Sequence, residues 1–232
     1  MKQTALACLA AAALLWLAPA CGKKSSPTQP AAEVDTSKVY VCGNFRIVSD
    51  WYACYWRDTV RTMLPGAGRY IDTRCLNVVQ GKVYTGGCYN NGSATVPCYW
   101  EDTLRRDLPG SGGDAYVNSI TVDQGVAYCG GYLSGIRTVP CYWKGTAPTI
   151  LDFDSTSENA QVNAIAIYNG AIFCGGSYGV SPTMYACFWH NGQRHRMDSD
   201  TSKYSSVSSI AVDAGVAYYG GFYRINDVLH PC

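Results

Sequence analysis

The chain has 232 residues, with Lys+Arg 18 against Asp+Glu 17 and a formal net charge of +1. That balance excludes the strongly basic face that nucleic-acid binding requires, so no nucleic acid is expected as a partner. Charged residues are only 15%, against roughly 25% in an average soluble domain, and Gly 24, Tyr 18 and Cys 12 tilt the chain toward strands and turns.

Residues 1–20 have the layout of a secretory signal: Lys2 at the start, an apolar run from Thr4 to Leu17, and the small-residue site Ala18-Pro19-Ala20. The run is too short for a membrane span. Residues 21–37 open with Cys21 and continue as a polar tether, Gly22-Lys23-Lys24-Ser25-Ser26-Pro27 onward, that cannot pack. Leu17-Ala18-Pro19-Ala20-Cys21 resembles the lipobox of bacterial lipoproteins, with Ala18 where a Leu is usual and Leu17 one place further back. The resemblance implies acylation of Cys21 on sulfur and amine, and so a membrane as the first partner, since each buried methylene of an acyl chain contributes roughly 0.8 kcal/mol. Gly22 is not the Asp that retains such proteins in the inner membrane of enterobacteria, which implies the outer membrane.

Residues 38–232 repeat. One line reads Val39-Tyr40-Val41-Cys42-Gly43, Val83-Tyr84-Thr85-Gly86-Gly87, Ala127-Tyr128-Cys129-Gly130-Gly131, Ile172-Phe173-Cys174-Gly175-Gly176 and Ala217-Tyr218-Tyr219-Gly220-Gly221, at spacings of 44, 44, 45 and 45 residues. A second line, Cys54-Tyr55-Trp56, Cys98-Tyr99-Trp100, Cys141-Tyr142-Trp143 and Cys187-Phe188-Trp189, keeps nearly the same period. Each unit resolves into four short strands, A to D. Strand A is Ser119–Val122 and its counterparts, and turns such as Asp123-Gln124-Gly125 follow it. Strand B is the Tyr-x-Gly-Gly line, strand C the Cys-Tyr-Trp line, and strand D ends at Leu64, Leu108, Leu151 or Met197. Four antiparallel strands in about 45 residues make the blade of a β-propeller. The expected class is therefore all-β, a propeller-like array of four to five copies starting near 39, 75, 119, 164 and 209.

Trp143-Lys144-Gly145 and Trp189-His190-Asn191-Gly192 resemble the turns that end propeller-type repeats of bacterial lipoproteins. That resemblance implies architecture and location, not an activity. The first copy begins at strand B and the last stops at Cys232, where Tyr-Trp would follow. The expectation is an incomplete propeller whose unpaired edges invite self-association.

Each of the first four copies has a Cys in or just after strand B and another in strand C. The candidate disulfides are Cys42–Cys54, Cys88–Cys98, Cys129–Cys141 and Cys174–Cys187, as an exported location permits; Cys75 and Cys232 are left over. The alternatives are free thiols packed as small hydrophobes and, with no zinc-type spacing, metal ligation.

The A–B turns are short and alike, whereas the B–C and D–A loops vary, which marks their side as the binding side. Trp56, Trp100, Trp143 and Trp189 recur at one strand position and are expected to pack blade on blade. Trp51, Tyr52 and Tyr70 break the repeat and, with Arg137, are the candidate ligand contacts. Asp152, Asp154 and Glu158 alternate like oxygen ligands of a calcium loop but lack its turn glycine. No cofactor motif is present: the Gly-Gly pairs open no helix, and serve either close packing or a bulge. No triad can be assembled around His190, His195 or His230. The expected function is non-enzymatic, lipid-anchored recognition of a protein or glycan through one loop face. The alternatives are a glycan-processing enzyme, for which Asp114, Asp152, Asp154 and Asp198 are the loop carboxylates, and a purely structural envelope component.

Overall fold

A computed structural model describes residues 38–66, 70–156, 158–180, 182–197, 204–226 and 228–232. The signal, Cys21 and the tether lie outside the described residues, as does Asp198. Five separate antiparallel sheets follow one another along the chain. The first holds β1 (Tyr40–Ile47), β2 (Asp50–Arg57) and β3 (Val60–Met63). The second holds β4 (Ile71–Val79), β5 (Lys82–Asn90), β6 (Thr95–Glu101) and β7 (Leu104–Asp107). The third holds β8 (Ala115–Asp123), β9 (Val126–Ser134), β10 (Thr138–Lys144) and β11 (Ala147–Ile150). The fourth holds β12 (Asn159–Tyr168), β13 (Ala171–Gly179), β14 (Tyr185–His190) and β15 (Gln193–Arg196), and the fifth β16 (Ser205–Asp213), β17 (Val216–Ile225) and β18 (Val228–Pro231). In every sheet each strand pairs with its neighbours in sequence, and among the described residues one isolated parallel bridge, Met184 with Tyr204, links the fourth sheet to the start of the fifth. The fold is all-β, and the first sheet starts with the Tyr-x-Gly-Gly type of strand, as the sequence suggested.

The A–B turns are two-residue turns with both φ positive, +52° and +80° at Gln80-Gly81 and +48° and +80° at Asn169-Gly170. That geometry matches the twist of the flanking strands. The first strands of the second to fifth sheets are longer than the hydrophobic pattern suggests because each carries a one-residue bulge. Arg74, Asn118, Asn163 and Ser208 are the extra residues, each opposite a Gly-Gly pair.

The bulge explains the second glycine of each pair. A Cβ on Gly87, Gly131 or Gly176 would lie 1.9 Å from the carbonyl oxygen of Asp72, Tyr116 or Gln161 on the bulged strand. The first glycine answers to the next sheet instead: a Cβ on Gly130 would meet Val162 at 2.8 Å, and one on Gly175 would meet Val207 at 2.5 Å. Close packing and a bulge are therefore both present, one at each glycine, with the bulge on the opposite strand.

The apolar core lies between consecutive sheets. Cys98 and Trp100 of the second sheet pack with Ala53 and Leu64 of the first. Cys141 and Trp143 of the third pack with Tyr99 and Leu108 of the second, and Cys187 and Trp189 of the fourth with Leu151 of the third. Trp100, Trp143 and Trp189 are fully buried. Their indole N–H groups donate to the carbonyls of Pro65, Pro109 and Asp152, at the end of the preceding sheet, over 2.8, 3.0 and 2.8 Å. Trp100, Trp143 and Trp189 are thus interlocks between sheets and not sugar platforms, whereas Trp56 of the first sheet is only half-buried.

Register overturns the expected disulfides, and all ten described cysteines are free. Cys54 stands opposite Gly43, and Cys98 opposite Gly87. Cys42 and Cys88 are one residue away from those glycines, so each projects from the other face of its sheet. Cys141 and Cys187 stand opposite Gly131 and Gly176, two residues from Cys129 and Cys174. Those pairs share a face, but on a diagonal of about 7–8 Å between Cα atoms, beyond the roughly 7 Å that a disulfide spans. The thiols pack as small apolar groups. Burial pushes Cys88 up to about 12 from 9.0 and holds Cys129 well above that ordinary value.

Candidate functional site

The B–C and D–A connections emerge at the same end of the sheets, and at that end the first and second sheets enclose a shallow depression. It is lined by Asn44, Trp51, Tyr70, Ile71 and Asp72 and has a volume of ≈ 300 Å³. Trp51 follows the β1–β2 turn, and Tyr70 immediately precedes β4; each is 40% exposed. Period-two alternation puts Trp51 on the same face of β2 as Ala53 and Tyr55. Ala53 and Tyr55 belong to the core shared with the second sheet, so Trp51 faces that sheet too.

The polar wall is fixed by an internal network. Asn44 donates through Nδ2 to Asp72 Oδ1 and to the Thr73 carbonyl, while its Oδ1 accepts from the Thr73 backbone N–H at 2.9 Å and from Thr73 Oγ1 at 3.1 Å. Asp72 Oδ2 accepts from Arg74 Nε at 2.8 Å. Arg74 also donates to Asn118 Oδ1 at 2.9 Å, and its guanidinium lies 4.8 Å from the centre of the Tyr116 ring. Burial works against the charge of Arg74, but the hydrogen bond and charge of Asp72 outweigh it and hold the guanidinium above the ordinary arginine value. Burial, and then the Asp72 charge, raise the Tyr70 phenol, which stays protonated at neutral pH.

Of the four expected contact residues, Trp51 and Tyr70 come together and the other two do not. Tyr52 lies on the opposite face of β2, stacked on Phe45 with ring centres 5.6 Å apart. Arg137 lies in a different depression, lined also by Leu133, Ile136 and Thr156, where it donates to the Thr156 carbonyl at 3.1 Å. Asn44 and Asp72 escaped the sequence reading because their repeat positions share no chemistry. Asn44 aligns with Cys88, Tyr132, Ser177 and Phe222, and Asp72 with Tyr116, Gln161 and Ser206.

The calcium reading of Asp152, Asp154 and Glu158 is not supported. Asp154 Oδ1 accepts from Thr156 N and Oγ1 at 2.9 and 2.6 Å. Glu158 Oε2 accepts from the Asp154 backbone N–H and pairs with Arg194, so a protein cation sits where a metal would. Among the described residues no three His, Cys, Asp or Glu side chains are placed to hold a metal. Asp114 Oδ1 accepts from the Thr95 backbone N–H at 2.6 Å, tying the third sheet to the second. The three histidines stack on Phe173, Phe188 and Tyr223.

No protein-family model and no curated protein matches the chain. Among solved structures, "Structure of RS223-Beta-xylosidase" is similar at 12% identity, over 81% of this chain and 83% of that one, with a TM-score of 0.42. Likeness of that degree carries no argument about chemistry.

Proposed function

We propose that the chain is a lipid-anchored, non-enzymatic binding protein of the bacterial envelope, and that its sheets are the blades of a propeller-like array. Its loop side would recognise a protein or glycan. The observation that carries the binding reading is the Trp51–Tyr70 depression: two half-exposed aromatic side chains over a polar wall that its own hydrogen bonds hold rigid. Rigid aromatic contacts with fixed polar neighbours suit recognition, because little side-chain freedom is lost on binding. Asp72 is already engaged by Asn44 and Arg74, Asp114 by Thr95 and Glu158 by Arg194, which favours a binding surface over an acid–base pair.

A photo-crosslinking residue in place of Trp51, in the full chain expressed in a bacterial envelope, should capture a partner. The same residue in place of Thr103, in a turn at the other end of the sheets, should not. Capture from both ends alike, or from Thr103 alone, would overturn the assignment. Anchoring is tested separately: Cys21→Ser should release the protein from the membrane fraction, and retention would refute acylation there.

A further inference from the structure

Resting on the reading of that side as a binding face, we propose that the Trp51–Tyr70 depression is a subsite for one neutral pyranose ring of a glycan. Three observations point to this chemistry. The first is the pair of exposed aromatic faces. A pyranose presents a face of C–H groups, which the electron-rich face of an indole or phenol attracts while apolar area leaves water.

The second is the state of the polar wall. Asp72 accepts one protein hydrogen bond on each oxygen, whereas an ionised carboxylate offers about four lone-pair sites. The remaining sites can take sugar hydroxyl donors, and the protonated Tyr70 hydroxyl adds a donor of the complementary kind. Asn44, by contrast, is committed to Asp72 and Thr73 through both ends of its amide, so its part is to hold Asp72 still.

The third is charge. Arg74 neutralises Asp72 from behind and is itself spent on Asp72 and Asn118. The lining therefore offers neither a free anion for a cationic ligand nor a free guanidinium for a phosphate or carboxylate, and the exposed Arg46, opposite Trp51 on β1, stands outside it; the lining itself selects an uncharged polyhydroxylated ligand. A volume of ≈ 300 Å³ is at the small end of ligand sites and suits a single ring of a longer chain.

The test is an array of neutral, amino and acidic oligosaccharides probed with the full chain, followed by fluorescence titration of the strongest neutral binder. Trp51→Ala and Tyr70→Ala should each weaken binding by about tenfold or more, while Trp51→Phe, which keeps an aromatic face, stays within about threefold. Trp51 is 40% exposed, so an unchanged thermal midpoint for Trp51→Ala shows that the loss is not unfolding. Absence of any neutral binder, a preference for acidic or amino sugars, or affinity indifferent to both alanine variants would overturn the proposal. Capture of an envelope protein from position 51 without glycan binding would remove the sugar and leave the binding face; failure of both experiments would remove both.

Discussion

Trp143→Phe isolates the interlock between sheets. Trp143 is fully buried, and its indole donates to Pro109 at 3.0 Å. Phenylalanine keeps one ring in the same slot and removes the donor. Losing about 40 Å² of apolar contact at about 25 cal/mol per Å² costs about 1 kcal/mol. The incompletely filled slot adds about 1 kcal/mol, and the lost hydrogen bond to the exposed Pro109 about 1 kcal/mol, for about 3 kcal/mol in all. Trp56 occupies the same position in the first sheet but is only half-buried, with no preceding sheet against it among the described residues. Trp56→Phe should therefore cost less than about 1 kcal/mol. Urea unfolding followed by far-UV circular dichroism measures both, and amide exchange across β10 localises the loss, since stacked repeats unfold in parts. Equal losses at Trp56 and Trp143 would refute the argument that the indole's value lies in the carbonyl of the preceding sheet.

Further expectations concern the glycines, a buried hydroxyl and the thiols. Gly131→Ala places a methyl 1.9 Å from the Tyr116 carbonyl oxygen and should lower the urea midpoint severely or abolish folding, whereas Gly145→Asn, at φ +58° with open space around it, should change stability by less than about 1 kcal/mol. Thr85 is fully buried and its Oγ1 has no hydrogen-bond partner, so Thr85→Val should stabilise by about 1 kcal/mol, read from the same unfolding curve; a loss would mean that the hydroxyl is satisfied. Native alkylation at neutral pH should modify the exposed Cys232 first and leave Cys88, Cys98 and Cys129 unreacted, while denaturation without reductant should expose every one of these thiols; fewer would mean that bridges form after all. Because the folded Cys88 thiol keeps its proton to about 12 whereas an unfolded thiol loses it near 9.0, stability should be flat below pH 9 and fall above it, by up to about 1.4 kcal/mol per pH unit for each such thiol.

The 44–45-residue period located strands B, C and D and their turns, because hydrophobic alternation and turn residues act locally. What it could not give was register. Strand membership put Cys42 beside Cys54 but not on which faces, and a shift of one residue separates them across the sheet. The bulges were hidden for the same reason: Asn118 and Asn163 recur 45 residues apart, yet they read as the start of an ordinary strand until each is seen opposite two glycines. Trp51 and Tyr70 were legible as aromatic departures from the repeat. Tyr52 looked equivalent to Trp51, but strand alternation sends it to the other face. Asn44 and Asp72 depend on two sheets meeting, which no single stretch of sequence announces.

The bulged residues carry a consequence for how such a chain changes over time. Asn118 donates to the Val162 carbonyl at 2.9 Å, and Asn163 to the Val207 carbonyl at 2.9 Å. Asn44, on β1, makes the weaker equivalent to the Thr73 carbonyl at 3.4 Å. Val162 and Asn163 are neighbours in β12, so in the fourth sheet the carbonyl that accepts from the third lies beside the amide that donates to the fifth. A unit of that kind brings a plug and a socket of the same gauge. Duplication or loss of one such unit by unequal recombination would rejoin matching halves, and the array could lengthen or shorten without a new contact having to be invented.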